Sequence, residues 1–347
     1  MEMLLSLVDL ELTLLNPATF TVATITTLMT LYVYFIQPSM LLKAYFRVAV
    51  RWSGMRMNYT KPLPDGFQFF YGEKGYRKKG QISILMLHGF SADHFMWAPV
   101  VRNIPSDIHV IVLDLPGHGF TSNPINEDDI EFKGQVRRIR QFLDLVDLSS
   151  QPLHVVGVSM GALVAGIFAS ECSQMVSALT LTCPWMKTPF ESRIIRENKK
   201  VVLEKYGGLL TLENCPMLPQ TAEGLQNMLD ISHFHSVKYP QQILKGAVEL
   251  RKQKNDIYLH LVNILISEET SLILENLLNK IKCPSQVIWG RDDWVVDVSG
   301  VDILKEKLAN CQQIDILDEC GHAVNLDQPN LFATKVLTFW KSLKNSL

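Results

Sequence analysis

Gly157-Val158-Ser159-Met160-Gly161 sets one hydroxyl between two residues that lack a side chain. The apolar run Leu153–Val158 precedes it, and the helix-like run ALVAGIFAS follows. A strand that must turn at once into a helix needs small neighbours at the bend, and the central serine is then lifted above the sheet edge at a helix amino terminus. That is the chemistry of a nucleophile. A serine hydroxyl at its ordinary pKa attacks poorly, so a base must accompany it. In this strand–turn–helix setting the partners follow in the order serine, acid, histidine. Of the nine histidines, His322 in Cys320-Gly321-His322 comes just after the last predicted strand and is the expected base. His233 and His235 fall in a helical region, and His109 and His154 begin strands. The acid is expected after the run Ser285–Trp289, where Gly290-Arg291-Asp292-Asp293 offers two carboxylates. The G-x-x-D spacing favours Asp293, with Asp297 and Asp292 as alternatives. Its role would be to hold the imidazole in one tautomer and to stabilise the imidazolium.

A tetrahedral oxyanion needs backbone donors. One is expected at Met160, directly after the nucleophile, and the other at Phe90 in His88-Gly89-Phe90-Ser91, directly after the run Ile82–Leu87. Trp185 and Phe190, in WMKTPF after the sixth strand, are candidates for substrate contact as an apolar lip beside Lys187.

These residues need a scaffold that delivers several loops to one edge. Short apolar runs bounded by turn residues recur at Phe67–Tyr71, Ile82–Leu87, His109–Leu113, Leu153–Val158, Ala178–Thr182, Ser285–Trp289 and Ile314–Leu317. Helical patterns such as Gln135–Val146 and Gly161–Ser170 lie between them. Buried parallel strands alternating with helices predict an α/β fold with a mostly parallel sheet flanked by helices. From Trp185 to Lys282 no strand pattern appears, while Pro240–Arg251, Tyr258–Ile266 and Leu272–Ile281 read as helices. That stretch predicts a helical cap inserted after the sixth strand.

The chain has 347 residues, 47% hydrophobic and 20% charged, which fits a large core and excludes intrinsic disorder. Lys plus Arg is 33 against 35 Asp plus Glu, so nothing suggests a nucleic-acid partner. The six cysteines, at 172, 183, 215, 283, 311 and 320, include no C-x-x-C pair. They predict neither a metal centre nor a disulfide scaffold, and point to free thiols in a reducing compartment. Phosphate-cradling glycine patterns are missing too, so no cofactor is expected.

No Asp, Glu, Lys, Arg or His occurs from Leu12 to Leu42, and residues 17–36 have the length of a membrane-spanning helix. Glu2, Asp9 and Glu11 precede it, unlike the basic start of a cleaved signal peptide, so an uncleaved anchor is expected. Lys43, Arg47, Arg51 and Arg56 follow, which puts the body in the cytosol by the positive-inside rule. The triplet Asn58-Tyr59-Thr60, a glycosylation pattern, points the other way. Leu41–Trp52 reads as an interfacial helix on the anionic leaflet. The expected layout is a tail at 1–16, an anchor at 17–36, a juxtamembrane segment at 37–65, core at 66–184, cap at 185–282 and core again at 283–347.

The segments LMLHGFSADHFMW, LDLPGHG, VVGVSMG, VIWGRDDWVVDVSG and ECGHAV occur in the order of the α/β-hydrolase superfamily, which the chain resembles over roughly residues 66 to 347. With the amino-terminal anchor, it is similar to the membrane-anchored monoacylglycerol lipases of that superfamily. The resemblance implies an eight-stranded sheet, the Ser159–Asp293–His322 triad, and oxyanion amides at Phe90 and Met160. It also implies hydrolysis of monoacylglycerols such as 2-arachidonoylglycerol, and of lysophospholipids, at a membrane. Ala162 stands where many relatives carry a second glycine, a small departure that suits a helix start. Other serine esterases and carbon–carbon bond hydrolases share the same triad, and a lipid-binding membrane scaffold is a third alternative. An endosomal, lysosomal or plasma membrane each fits the anchor.

Overall fold

A computed structural model describes residues 16–196 and 209–343. Residues 1–15 of the expected tail, and 197–208 within the expected cap, lie outside the described residues.

The apolar segment forms helix α1 (Pro17–Phe35), started by Asn16, whose side chain accepts from the Ala18 N–H. None of its residues is buried against the protein, which separates it from a core helix. Among the described residues it is the single helix long and apolar enough to cross a membrane. Several of its threonines bond back to the helix: the hydroxyls of Thr21, Thr26 and Thr30 donate to the carbonyls of Pro17, Val22 and Thr26 at 2.7–2.8 Å. Such a bond would remove most of the cost of each of these hydroxyls in hydrocarbon.

Helix α2 (Pro38–Ser53) follows after one turn and ends at Gly54 in the left-handed conformation. One face, with Pro38, Ser39, Leu42, Val50 and Ser53, is buried. The opposite face exposes Met40, Lys43, Tyr45, Arg47, Val48, Arg51 and Trp52.

The sheet contains β1 (Arg56–Tyr59), β2 (Phe70–Lys74), β3 (Ile84–Leu87), β4 (Val110–Leu113), β5 (Leu153–Val158), β6 (Val176–Thr182), β7 (Ser285–Gly290) and β8 (Cys311–Leu317). Their order is β1-β2-β4-β3-β5-β6-β7-β8. β1 and β2 run antiparallel to their neighbours, and the remaining pairs are parallel. Every residue of β3, β4, β5 and β7 is buried, as expected of parallel strands covered on both faces. Helices α3 (Ala98–Arg102), α4 (Phe132–Leu145) and α5 (Met160–Glu171) connect the first half of the sheet.

Two differences from the expected strands have local causes. The first long strand begins at Phe70, not Phe67. The N–H of Phe67 donates to Asp65 Oδ1 at 3.0 Å and that of Phe69 to Thr60 Oγ1 at 3.1 Å, so these backbone donors are spent on side chains before the ladder starts. β1 falls inside the segment expected to be juxtamembrane. Four residues on a half-exposed edge carry too little apolar pattern to be read from sequence.

Between β6 and β7 the described chain is helical: α6 (Ala222–Ser232), α7 (Gln241–Lys252), α8 (Asn255–Leu265) and α9 (Glu268–Leu277). Ser267 caps α9 by accepting from the Thr270 N–H, and Thr221 caps α6 by accepting from Gly224. Tyr258, Leu261, Val262, Leu265 and Leu274 of this insertion belong to the same hydrophobic core as the sheet. The chain closes with α10 (Gly300–Lys307), α11 (Val324–Asp327) and α12 (Pro329–Leu343).

α7 also touches α2. A Cβ added at Gly246 of α7 would stand 2.7 Å from the Pro38 carbonyl carbon and 2.8 Å from the Ser39 nitrogen. The two helices therefore cross backbone to backbone, and α2 is part of the folded body.

Candidate active site

Ser159 sits at the end of β5 with φ 55° and ψ −121°, a conformation that a non-glycine residue adopts only when its surroundings impose it. The glycines on either side explain how the bend closes. A Cβ at Gly157 would lie 2.3 Å from the Gly161 carbonyl oxygen, and one at Gly161 would lie 2.3 Å from the His88 carbonyl oxygen. Backbone bonds then lock the turn. The Ser159 N–H donates to Thr182 at 2.9 Å, and its carbonyl accepts from Ala162, Leu163 and Trp185 at 3.0–3.1 Å. Met160 is the first residue of α5, where backbone N–H groups have no partner within the helix.

The loop after β3 lies against this elbow. A Cβ at Gly89 would be 3.3 Å from Ser159 Cβ and 3.9 Å from its Oγ. Phe90 follows, buried, with its ring 5.8 Å from that of Tyr258 in the cap. His88 anchors the loop from inside: its Nδ1 donates to the Gly89 carbonyl at 2.8 Å, and its Nε2 accepts from Leu115 N–H at 2.9 Å. Burial pulls the His88 pKa down, which keeps the ring neutral for that pair of bonds. Asp114 of LDLPGHG fixes the next stretch by accepting from the N–H of His94 at 2.7 Å and of Phe120 at 3.0 Å, and it faces His94 Nδ1 at 3.0 Å. Burial lowers the His94 pKa, but the Asp114 charge and hydrogen bond outweigh it, and the net shift is upward.

Asp293 and His322 come together after β7 and β8. His322 Nδ1 lies 2.8 Å from Asp293 Oδ2. The other oxygen of Asp293 accepts from the N–H groups of Val295 and Val296 at 2.8 and 2.9 Å. The carboxylate side chain is fully buried, while that of His322 is 12% exposed. With Nδ1 committed to the carboxylate, Nε2 is the nitrogen left with a lone pair. The alternative Asp297 is engaged elsewhere, accepting from the Ser299 N–H at 2.9 Å as a local turn.

Sequence reasoning missed Cys183. It follows β6, between the strands that carry Ser159 and Asp293, with a left-handed φ of 41°. Its Sγ and ligand atoms of Asp293 and His322 lie within 4.8 Å of one another, a trio of the kind that can hold a metal ion. Burial, and then the charge of Asp293, push the Cys183 thiol well above its usual pKa. It therefore stays protonated beside a carboxylate and suits a weak donor better than a metal ligand. Nothing in the local sequence marks it, because only the strand order brings it there.

The lip reading divides between its two residues. Phe190 is 70% exposed. Trp185 is buried, and its indole N–H donates to the Leu265 carbonyl at the end of α8. It fastens the cap behind the nucleophile and does not form an exposed lip. The expected free thiols are seen, since all six cysteines are unpaired.

Comparison with known proteins points to the same fold. The alpha/beta hydrolase fold family matches residues 82–329. The monoacylglycerol lipase ABHD6 of Homo sapiens is 37% identical over 314 residues, covering 90% of each chain, and monoacylglycerol lipase abhd6-B of Xenopus laevis is 36% identical over the same shares. Among solved structures, a membrane phospholipase A described as a bacterial virulence factor superposes with a TM-score of 0.78 at 23% identity, over 94% of this chain and 99% of that one. The chain belongs to the alpha/beta hydrolase fold family, with the ABHD6 lipases among its relatives.

Proposed function

We propose that the chain is a membrane-anchored serine hydrolase that cleaves the ester bond of monoacylglycerols, 2-arachidonoylglycerol included, to fatty acid and glycerol. Ser159 is the nucleophile, His322 the base, Asp293 its orienting acid, and the amides of Phe90 and Met160 the oxyanion donors. The observation that carries this reading is the His322–Asp293 bond of 2.8 Å, made by residues that follow β7 and β8 of the sheet whose β5 ends in the strained Ser159 elbow. The relatives' shared name as monoacylglycerol lipases supplies the substrate class.

Ser159 Oγ attacks the ester carbonyl as His322 Nε2 takes its proton. The oxyanion is held by two backbone N–H groups, the largest single contribution in such sites. Collapse expels glycerol, which takes the proton from His322 and leaves an acyl-enzyme. Water, deprotonated by the same imidazole, then releases the fatty acid and restores Ser159.

The membrane-facing parts fit an amphiphilic substrate. Extracting an acyl tail into water costs about 0.8 kcal/mol per CH₂. An enzyme held at the leaflet avoids much of that. In this reading residues 17–36 are the anchor, the exposed aromatic and basic face of α2 rests on the cytosolic leaflet, and the hydrolase body (66–184 and 283–347) with its cap (185–282) lies in the cytosol. Unpaired thiols support that side of the membrane. Phe190, exposed on the cap side of β6, contributes to the lipid-facing rim.

The test is fatty-acid release by the purified full-length protein from monooleoylglycerol in phosphatidylcholine vesicles, with lysophospholipids and a soluble butyrate ester in parallel. Release from monooleoylglycerol that disappears in Ser159→Ala supports the proposal. Hydrolysis of the butyrate ester alone would refute the lipid assignment.

A further inference from the structure

Arg251, near the carboxyl end of α7, points into the protein. Its Nη1 donates to the Ser91 carbonyl at 3.2 Å. Its Nη2 donates to Ser91 Oγ at 2.7 Å and to the Met217 carbonyl at 3.0 Å, and lies 3.7 Å from Met228 Sδ. These partners are neutral oxygens and a thioether. Its Nε is shielded from solvent without a partner among the described residues, and burial lowers its pKa. The charge of Asp93 offsets part of that shift, but among the described residues no carboxylate hydrogen-bonds the guanidinium, and a buried cation so held is a costly way to join two pieces of protein. A leucine would pack the same gap at less cost, so the cation calls for a reason beyond stability.

Ser91 supplies one. Its φ is 53°, in the left-handed region that a serine occupies only where neighbours hold it. It is the last central residue of the turn closed by the Ala92 N–H on the Gly89 carbonyl at 3.3 Å. Phe90, the other central residue, carries the proposed oxyanion amide. The cap thus holds the residue that carries that amide and the one after it: Tyr258 of α8 packs on the Phe90 ring, and Arg251 of α7 holds Ser91 by hydroxyl and carbonyl.

We infer that Arg251 is a positioning residue for the oxyanion hole, acting from the cap through Ser91 on the direction of the Phe90 N–H. The inference rests on the Ser159 and Phe90 assignments above. It also gives α2 an indirect role, because α7 is seated on Pro38 and Ser39 at Gly246. The helix that lies against the membrane is in this way the outer brace of the oxyanion loop.

The experiment uses full-length protein, a soluble butyrate ester and an alkyl trifluoromethyl ketone, whose hemiketal oxygen occupies the oxyanion position. Loss of one oxyanion donor lowers kcat by about 10²–10³-fold, so a mis-aimed one in Arg251→Met should lower it by about 10- to 100-fold. KM should stay within about threefold, and ketone affinity should fall by the same factor as kcat/KM. Arg251→Lys, which keeps a donor for Ser91, should recover part of the loss. Ser91→Ala and Arg251→Met should combine less than multiplicatively, since they act on one contact. Unchanged kcat and ketone affinity in Arg251→Met would overturn the inference. So would a raised KM with kcat retained, which would make Arg251 a wall of the acyl pocket. Should Arg251→Met fail to fold, Ser91→Ala decides: a kcat loss at constant KM supports the inference, and wild-type kcat overturns it. Ester hydrolysis surviving in Ser159→Ala would instead strike the active-site reading beneath it.

Discussion

Asp293→Asn tests the orienting carboxylate with the smallest change in shape. An asparagine there has two orientations. In one, its oxygen keeps the N–H bonds of Val295 and Val296 and its NH₂ faces His322 Nδ1. The imidazole must then carry its proton on Nε2, and the base for Ser159 is gone. In the flipped orientation the oxygen faces Nδ1–H and the base survives, but the NH₂ points at two buried backbone donors. Leaving each donor unsatisfied costs roughly 1–3 kcal/mol, or about 2–6 kcal/mol for the pair. At about 1.4 kcal/mol per factor of ten, the competent tautomer is depleted by roughly 30- to 10⁴-fold. The imidazolium also loses its counter-charge, so kcat/KM on a soluble ester should fall by about 10³–10⁴, the upper figure being that of the corresponding change in a serine protease. The favoured orientation breaks no backbone bond, so the thermal midpoint should barely move. A variant within about tenfold of wild type, against those expected thousands, would refute the reasoning. So would an inactive Asp297→Asn beside a normal Asp293→Asn.

Three further outcomes are expected. Removing residues 1–36 should leave hydrolysis of a soluble ester nearly intact and reduce hydrolysis of a long-chain monoacylglycerol in vesicles, whereas removing residues 1–53 should impair both, because α2 packs on the cap; equal effects of the two truncations on the soluble ester would contradict that packing. Gly246→Ala should destabilise the protein by about 1–3 kcal/mol through the clash with Pro38 and Ser39, although helix propensity alone predicts about 1 kcal/mol of gain, and the sign of the urea midpoint shift decides. His154 is fully buried with its Nε2 on Thr180 Oγ1 at 2.7 Å, and burial pulls its pKa down to about 3. The unfolded chain takes up that proton below about pH 6.5 and the folded one does not, so stability is full above 6.5 and should drop by about 2 kcal/mol between pH 6.5 and 5 from this group. His154→Gln should flatten the acid limb of the urea midpoint by about one proton; an unchanged slope would contradict the burial argument.

The proposed nucleophile, base and acid were legible because each belongs to a local pattern. The Ser159 bend demands small neighbours, and His322 and Asp293 each directly follow an apolar strand. The apolar helix α1 was equally plain, since a long stretch free of charged side chains marks it in the sequence. What stayed hidden depends on packing between distant segments. Cys183 reaches Asp293 because β6 lies between β5 and β7, and Trp185 faces α8 because the chain after β6 is tied by its N–H to the Ser159 carbonyl. β1 is too short and too exposed to stand out. The contact of Gly246 with Pro38 leaves no trace except a glycine inside a helix, and Arg251 reads in sequence as one more surface cation.

The most direct measurement is a mass-mapped fluorophosphonate label on the full-length protein. An activated serine alone reacts quickly, and its activation depends on the base and the oxyanion amides together. The account predicts a single rapid adduct on the peptide that carries Ser159, lost in Ser159→Ala and strongly slowed in His322→Ala. Rapid labelling of a different serine, or labelling of Ser159 at an unchanged rate without His322, would contradict it.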